Sequence, residues 1–182
     1  MYSIEAKARR GKLPAGEHLL LENRHLTGEK FSGRKLASFS SAGCTFERCS
    51  FAKLTAPHVV LACGKETSYY IDCIFDGTRF RHLSMGQARF ERCSFLDVRI
   101  GNLFCHSTEL VDCKFSGVMR GGAIYGRVVG IDAEFTTRRV NEIRGNDFSA
   151  MKLSDVSFRQ GVDLSLQKLP VGDGYLHLPD AE

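Results

Sequence analysis

Several features that mark membrane and secreted proteins are absent from this 182-residue chain. No apolar run approaches the roughly eighteen residues that a membrane-spanning helix needs. The first residues, in which Glu5 is followed by Lys7, Arg9 and Arg10, lack the apolar core of a signal peptide. We therefore expect a cytoplasmic protein, and its length favours a single domain.

Recognisable catalytic and metal-binding motifs are also missing. The sequence has no GxSxG, HExxH or phosphate-loop pattern and no CxxC or HxxxH pair. His58, His82 and His106 are spaced by twenty-four residues, which is out of phase with the repeat described below, so we do not expect them to converge. The sequence therefore assigns no catalytic residue, metal ligand or cofactor, and an enzyme with its site at a loop or dimer interface is a lesser alternative.

What the chain does contain is a five-residue repeat. Apolar residues recur at every fifth position, and Arg120 and Gly130 interrupt them. The series is Phe75, Phe80, Met85, Phe90, Phe95, Ile100, Cys105, Leu110, Phe115, Arg120, Tyr125, Gly130 and Phe135. A period of five fits neither a helix, which repeats at about 3.6 residues, nor a strand, which repeats at about 2. The period predicts a solenoid of stacked supersecondary units.

A second recurrence, at twenty residues, sets the number of sides in each coil. The recurring pairs are Cys73 and Phe75, Cys93 and Phe95, Cys113 and Phe115, and Ala133 and Phe135. If four sides of five residues complete one coil, residues twenty apart stack at the ~4.8 Å spacing of hydrogen-bonded strands. We therefore predict that Phe75, Phe95 and Phe115 lie in a single file inside a four-sided tube.

The pentapeptides at 73–77, 93–97 and 113–117 carry a resemblance to a known family. Each has a small residue, a variable residue, a phenylalanine and then two further residues, as in CIFDG, CSFLD and CKFSG. This pattern resembles the repeat of the pentapeptide-repeat protein family and covers roughly residues 19–158. The resemblance implies an all-β fold, a right-handed quadrilateral β-helix.

We assign the flanking segments to the two ends of this β-helix. Residues 1–18 form an N-terminal arm or cap, and residues 159–182 form a C-terminal capping helix and tail. The helix is expected from Asp163 to Leu169, where Leu164, Leu166 and Leu169 would cover the last coil. Members of the family often dimerise end to end, so the resemblance also implies a homodimer through the C-terminal segment.

The seven cysteines follow the repeat rather than a metal or disulfide pattern. Five of them fall on the inward small-residue position: Cys44, Cys49, Cys73, Cys93 and Cys113. Buried free cysteine behaves as a small hydrophobic residue. We predict unpaired core cysteines.

The repeat is irregular in its first coil and at two later places. Arg24, Glu29 and Arg34 occupy small-residue positions, and three charges cannot point unpaired into a core. We therefore predict that the first coil is open or distorted and that these side chains reach solvent at the mouth of the solenoid. Phe51 and Phe75 are twenty-four residues apart, which indicates a deletion or a bulged loop within 54–70.

These irregular segments supply the first candidate binding residues, because surface loops on a rigid scaffold often carry function. His58, Lys65 and Glu66 lie in the 54–70 segment, although a tolerated corner irregularity explains the segment equally well. About three extra residues within 141–146 predict a second protrusion, which contains Arg144.

Outward charges form a second set of candidates. The residue before each buried large residue faces outward, and on one side this series is Arg79, Arg99, Met119 and Arg139, with Arg120 and Arg138 close by. Stacked cations repel one another unless counter-charges intervene. Another side alternates in sign through Asp72, Arg92 and Asp112, so its charges can pair. The arginine column therefore predicts a surface for an acidic partner.

Two function classes remain. We favour a non-enzymatic interaction scaffold that binds an acidic protein through the outer faces and loops. The resemblance implies an alternative, because some relatives mimic duplex DNA, bind gyrase or another type II topoisomerase and protect it from inhibitors. Residues 36–160 hold 16 lysines and arginines against 13 aspartates and glutamates, whereas a DNA mimic should be strongly acidic, although a local acidic face would still permit one. Direct nucleic-acid binding is disfavoured because the net charge is only +4.

Overall fold

The structure is a computed structural model that describes residues 16–172 and residue 174, with only the backbone of residues 131 and 132. Most of the predicted N-terminal arm and the tail beyond Gly174 lie outside these residues. In chain order the strands are β1 His18–Glu22, β2 His25–Thr27, β3 Ser38–Ala42, β4 Thr45–Glu47, β5 Thr55–Val60, β6 Ser68–Ile71, β7 Arg79–Ser84, β8 Ala88–Glu91, β9 Ser94–Cys105, β10 Glu109–Val111, β11 Lys114–Tyr125, β12 Ile143–Arg144 and β13 Asp147–Arg159. Two 3-10 helices span Gly130–Glu134 and Leu164–Leu166. No helix in the described part of the chain is long and apolar enough to cross a membrane.

The strands stack as the walls of a parallel β-solenoid. Sheet A has the order β1-β3-β5-β7-β9-β11-β13, and sheet B has the order β12-β10-β8-β6-β4-β2. A ladder of single bridges joins Lys30, Ser50, Ile74 and Ser94 on a further side of the tube. Each coil therefore pairs with the coil above and the coil below, as the five-residue period predicts.

The predicted file of phenylalanines runs through the tube. Phe75 stacks on Phe95 at 4.6 Å between ring centroids, and Phe95 stacks on Phe115 at 4.8 Å, with ring planes within 8° of parallel. Phe51 continues the file on one side of Phe75 at 4.7 Å. These rings are almost completely buried, so the predicted single file is confirmed and the coil has four sides.

A second aromatic file contains a polar group that is fully satisfied. Tyr70 stacks between Phe46, at 4.8 Å, and Phe90, at 4.6 Å. Its buried hydroxyl donates to the carbonyl of Leu61 at 2.8 Å and lies 2.6 Å from Ser41 Oγ. Burial raises the pKa of this hydroxyl well above its usual range. Both hydrogen bonds offset the cost of burying the hydroxyl.

Two insertions lengthen individual coils without breaking the files. Phe51 and Phe75 stack although they are twenty-four residues apart, because the extra residues form a turn between β5 and β6. Phe115 stacks on Phe148 at 4.4 Å, thirty-three residues later. The longer insertion is the excursion 127–140, whose ends are joined by an antiparallel bridge between Arg127 and Val140.

The longer insertion corrects two predictions. Phe135 does not extend the phenylalanine file; it lies on the excursion and is 37% exposed. The segment 141–146 does not protrude either, because Asn141, Ile143 and Asn146 are buried and Ile143 pairs with Leu110 of the neighbouring coil. The excursion instead precedes this segment.

A one-residue deletion in β11 corrects a third prediction. The register with β9 shifts between Phe115 and Gly117, so that Val118 pairs with Arg99 and Met119 pairs with Ile100. Met119 is therefore 1% exposed and is not an outward residue of the arginine column. Gly117 permits the shift, because its φ of +108° is in a region that disfavours side chains and an added Cβ would lie 2.2 Å from the carbonyl oxygen of Val98.

The two ends of the solenoid differ. At the N-terminal mouth, Arg24 and Glu29 are exposed and Arg34 pairs with Glu17, so these side chains reach solvent as predicted. The coil itself is neither open nor distorted, because β1 and β2 pair in register with β3 and β4. At the other end the predicted helix is a single 3-10 turn, in which the Asp163 carboxylate accepts from the Ser165 amide at 2.9 Å.

At the C-terminal end Leu169 packs against the core as predicted, and a buried glutamine contributes to the cover. Leu166 is 50% exposed, so the prediction that it covers the last coil is wrong. Gln167 is buried instead, and its side-chain oxygen accepts from Asn146 Nδ2 at 3.0 Å while its amide donates to the Ile143 carbonyl at 2.8 Å. An amide fits here because Asn146 has replaced the cysteine of earlier coils and needs a polar partner.

Candidate binding surface

Sheet A carries an outward cluster of cations, which we call the basic face. It consists of five exposed residues: Arg79, Arg81, Arg99, Arg120 and Lys152. Arg79 pairs in register with Arg99, and Arg99 with Val118, which in turn pairs with Lys152. Arg81 follows the inward Phe80, and Arg120 follows the inward Met119. Both arginines therefore face outward, in the next column of the same wall. The stacking of coils therefore brings residues from four parts of the sequence together.

The cations of the basic face have no acidic partners among the described residues. The ion pairs of residues 16–172 join other arginines, lysines and histidines to carboxylates and include none of these five side chains. Arg79 and Arg99 repel each other at the spacing of one strand, about 4.8 Å. Within the described residues, the positive charge of this face is therefore not neutralised by carboxylates.

A groove of about 520 Å³ runs across the basic face. Its floor includes Gly101, and its sides include Arg79, Arg81, Arg99 and Arg120. A Cβ added to Gly101 would lie 2.2 Å from the carbonyl oxygen of Arg81. Glycine is therefore needed here, because the backbone of the neighbouring coil occupies the place that a side chain would take.

A pair of histidines lies beside the basic face on the same sheet. The rings of His58 and His82 stack at 5.2 Å, nearly parallel, and Asn102 Nδ2 lies 3.2 Å from His82 Nδ1. Our expectation that the three equally spaced histidines would not meet is therefore wrong for this pair. The coil between them has twenty-four residues, because it contains the β5–β6 insertion. His106 lies elsewhere and contacts Tyr125 edge to face.

Sheet B shows the opposite arrangement of charge. Arg89 Nη1 lies 2.7 Å from Glu142 and 3.5 Å from Glu109, and Arg144 Nε lies 2.6 Å from Glu142. The pKa of Glu142 is lowered by hydrogen bonds from Arg89 and then from Arg144. Arg144 is therefore exposed but already paired, so the structure does not bring this candidate to the basic face.

The predicted alternating column is confirmed in its first members. Arg92 donates to both carboxylate oxygens of Asp72, at 2.9 and 3.0 Å. This bidentate pair lowers the pKa of Asp72. Asp112 is paired with Arg144 instead, at 3.5 Å.

Two further candidates from the arginine column lie on the excursion 127–140. Arg138 is half-buried, donates to the Ser107 carbonyl at 2.5 Å and pairs with Glu109 at 2.5 Å. Arg139 donates to carbonyl oxygens of the excursion itself, those of Ala133 and Thr136. The prediction that Arg139 stacks above Arg99 is wrong, because the insertion displaces it, and Arg138 fastens the excursion to the tube.

The two insertions meet. Lys65 Nζ, on the β5–β6 turn, lies 5.1 Å from the centre of the Phe135 ring on the excursion. Glu66, also on this turn, reaches towards Gly43, where an added Cβ would lie 2.8 Å from its Oε2. Lys65 and Glu66 therefore belong to an edge built by both insertions, separate from the basic face.

Sequence reasoning identified Arg79, Arg99 and Arg120 but missed Arg81, Gly101 and Lys152. Arg81 and Gly101 follow the inward residues Phe80 and Ile100, a position that the repeat also turns outward. This second outward column was therefore readable from the sequence. Lys152 was not, because its place depends on the deletion in β11 and on the excursion.

The remaining reactive groups form no assembled site in the described part of the chain. No group of three or more histidine, cysteine, aspartate or glutamate side chains within it could hold a metal ion. All seven cysteines are free, and the five that were predicted to point inward are buried, which confirms their role as core residues. Burial raises the pKa of the Cys105 thiol to about 12.

The stacked coils and their inward files define a parallel β-solenoid, the architecture that the resemblance implied. No family model matches the sequence, and no curated protein matches it. Among solved structures, the chain is similar to a variant, trypsin-treated form of QnrB1, described as a plasmid-mediated fluoroquinolone resistance protein. The identity is 16%, the match covers 85% of this chain and 79% of that one, and the TM-score is 0.23.

Proposed function

We propose that this protein is a non-enzymatic interaction scaffold that binds an acidic macromolecular partner through the basic face. The observation that carries the proposal is the contrast between two walls of one tube. Sheet B pairs its arginines with carboxylates, as Arg89 with Glu109, whereas the five cations of the basic face have no such partners within residues 16–172. Opposite potentials steer association and set partner choice.

The rigidity of the scaffold supports this role. Stacked strands hold Arg79, Arg99 and Lys152 on one column, so the face is already formed before a partner binds. Preorganised groups lose less conformational entropy on binding than groups on a mobile loop. The core beneath is filled by side chains such as Phe80 and Ile100, so recognition takes place on the outer surface.

The test is a quantitative pull-down of the full chain from lysate. The variant Arg79→Gln/Arg99→Gln/Arg120→Gln removes three charges from the basic face. Contacts between exposed charges contribute up to about 1 kcal/mol each, so we expect the recovery of the main partner to fall about tenfold. Raised ionic strength should weaken the wild-type interaction in the same direction.

A charge-matched control separates the effect of the basic face from the effect of the lower net charge. Arg48→Gln/Lys53→Gln/Arg127→Gln removes three exposed cations from elsewhere on the chain, and recovery should stay close to that of the wild type. Equal losses in both triple variants would show that recovery follows net charge. Unchanged recovery in the basic-face variant would show that the basic face does not bind the partner.

The gyrase alternative predicts a different result. It requires an acidic surface that competes with DNA, yet beside sheet B the carboxylates of Asp72, Asp112 and Glu142 are each paired with an arginine. A supercoiling reaction with gyrase and a fluoroquinolone tests it directly. Protection that survives the basic-face substitutions would favour the gyrase alternative over the scaffold proposed here.

A further inference from the structure

Resting on the proposed function, we propose that the groove over Gly101 binds a phosphoryl group carried by a peptide segment of the partner. The groove would then be a phosphopeptide-recognition site built on the outer wall of a β-solenoid. Three features support this assignment: four arginines line the groove, Gly101 lies between them, and the basic face is small.

The arginines surround the gap rather than forming one line. Arg81 pairs with Gly101, and Arg120 lies on the other side of Gly101, because Met119 pairs with Ile100 and Arg120 is the next residue. Arg79 and Arg99 lie on the adjacent column. All four line the same groove. A compact anion above Gly101 is therefore within the reach of several guanidinium groups.

The chemistry of these side chains favours a phosphoryl group over a single carboxylate. A phosphomonoester carries a charge of about −1.5 to −2 and three acceptor oxygens. A carboxylate has one charge and two oxygens, which a single arginine can satisfy, as Arg92 satisfies Asp72 beside sheet B. Four guanidinium groups around one gap exceed what one carboxylate can use. Clusters of arginine are the usual means by which proteins recognise phosphorylated peptides.

The extent of the face favours a peptide over nucleic acid. Along the column that contains Arg79 and Arg99, the neighbouring positions are Thr55 and Val118, so the continuous run of cations is short. Duplex DNA carries one charge per ~1.7 Å of its axis and calls for a long basic stripe. Phe80 and Ile100 also contribute to the groove, but their side chains are buried in the core. The groove therefore offers no exposed aromatic ring for a base to stack on.

The experiment measures fluorescence anisotropy with three labelled probes. The first is a peptide mixture with random residues around a central phosphoserine, the second is the same mixture with glutamate in place of phosphoserine, and the third is a short single-stranded DNA. We expect the wild-type chain to bind the phosphoserine mixture about tenfold more tightly than the glutamate mixture. The variant Arg81→Gln/Arg120→Gln should abolish this preference, and the control Arg48→Gln/Arg127→Gln should retain it.

Each other outcome overturns the inference in a way that can be told apart from failure of the scaffold. Equal affinity for the two peptide mixtures would reject phosphoryl recognition, while Arg79-dependent and Arg99-dependent pull-down would still support the scaffold. Tighter binding of DNA would assign the groove to nucleic acid. A preference for phosphoserine that survives Arg81→Gln/Arg120→Gln would place the site elsewhere. Thermal unfolding of each variant confirms that it is folded.

Discussion

Two phenylalanine substitutions test which residue follows Phe115 in the aromatic file: Phe148, as in the structure, or Phe135, as the twenty-residue period predicts. Phe135 continues the twenty-residue series beyond Phe115, but the structure places Phe148 next to Phe115 instead, at 4.4 Å. Phe148 is 0% exposed, whereas Phe135 is 37% exposed. We therefore expect Phe148→Ala to destabilise the protein much more than Phe135→Ala.

The contacts of each ring set the size of the difference. Truncation of a buried phenylalanine to alanine costs about 3–5 kcal/mol. We expect about 3 kcal/mol at Phe148, because it lies in the last complete coil, where Phe158 and Leu169 can shift towards the cavity. Phe135 loses a contact with Lys65 of the cation–π type, which contributes about 0.5–1 kcal/mol.

Urea unfolding combined with amide hydrogen exchange provides the assay. Coils of a solenoid contact only their neighbours, so a defect at Phe148 destabilises the C-terminal coil first. A loss of 3 kcal/mol corresponds to a roughly hundredfold fall in the protection of β13 amides. Phe148→Leu, which keeps most of the volume, should recover much of this protection. Equal or greater destabilisation by Phe135→Ala would refute the register described here.

Three further predictions concern the core, the groove and the ion pairs. Iodoacetamide should modify Cys63 first in the native protein, and the six buried cysteines only on unfolding, as followed by mass spectrometry. Gly101→Ala should lower the free energy of unfolding in urea by about 2 kcal/mol or more, because its Cβ would overlap the Arg81 carbonyl oxygen. Hydrogen bonds from Arg92 lower the pKa of Asp72, so this carboxylate stabilises the fold above its unfolded pKa of about 3.9 and loses that effect as the pH falls through the lower folded value. The stability difference between wild type and Asp72→Asn in urea titrations should therefore shrink on acidification.

The regular coils were predictable from sequence because their files require like side chains at fixed spacing. Phe75, Phe95 and Phe115 had to stack if the twenty-residue period marked one coil, and they do. The outward course of Arg24 and Glu29 followed from charges that no core could accept. Physical rules for burial were sufficient for these features, since each depends on residues within a regular stretch.

The insertions were harder to place because periodicity does not record which residues leave the tube. Phe135 has the correct spacing, yet it belongs to the excursion, and Asn146 with Phe148 resumes the coil thirty-three residues after Cys113 and Phe115. The only sign of these insertions in the series itself was its interruption at Arg120 and Gly130. The stacking of His58 on His82 was missed for a related reason, because every coil was assumed to contain twenty residues and this one contains twenty-four.

The repulsion between the stacked arginines can be tested by introducing a carboxylate into the basic face, so that it forms a cross-strand ion pair. Arg99→Glu would place a carboxylate beside Arg79, in the manner of Asp72 beside Arg92. Cross-strand pairs of opposite charge contribute about 0.2–1 kcal/mol, and like charges directly opposite are destabilising, so we expect Arg99→Glu to raise the free energy of unfolding by roughly this amount. Partner recovery should fall at the same time, because the substitution reverses a charge on the binding surface. A variant that gained no stability would show that Arg79 and Arg99 splay apart into solvent, whereas a stabilised variant with full partner recovery would show that the unpaired charges serve no binding role.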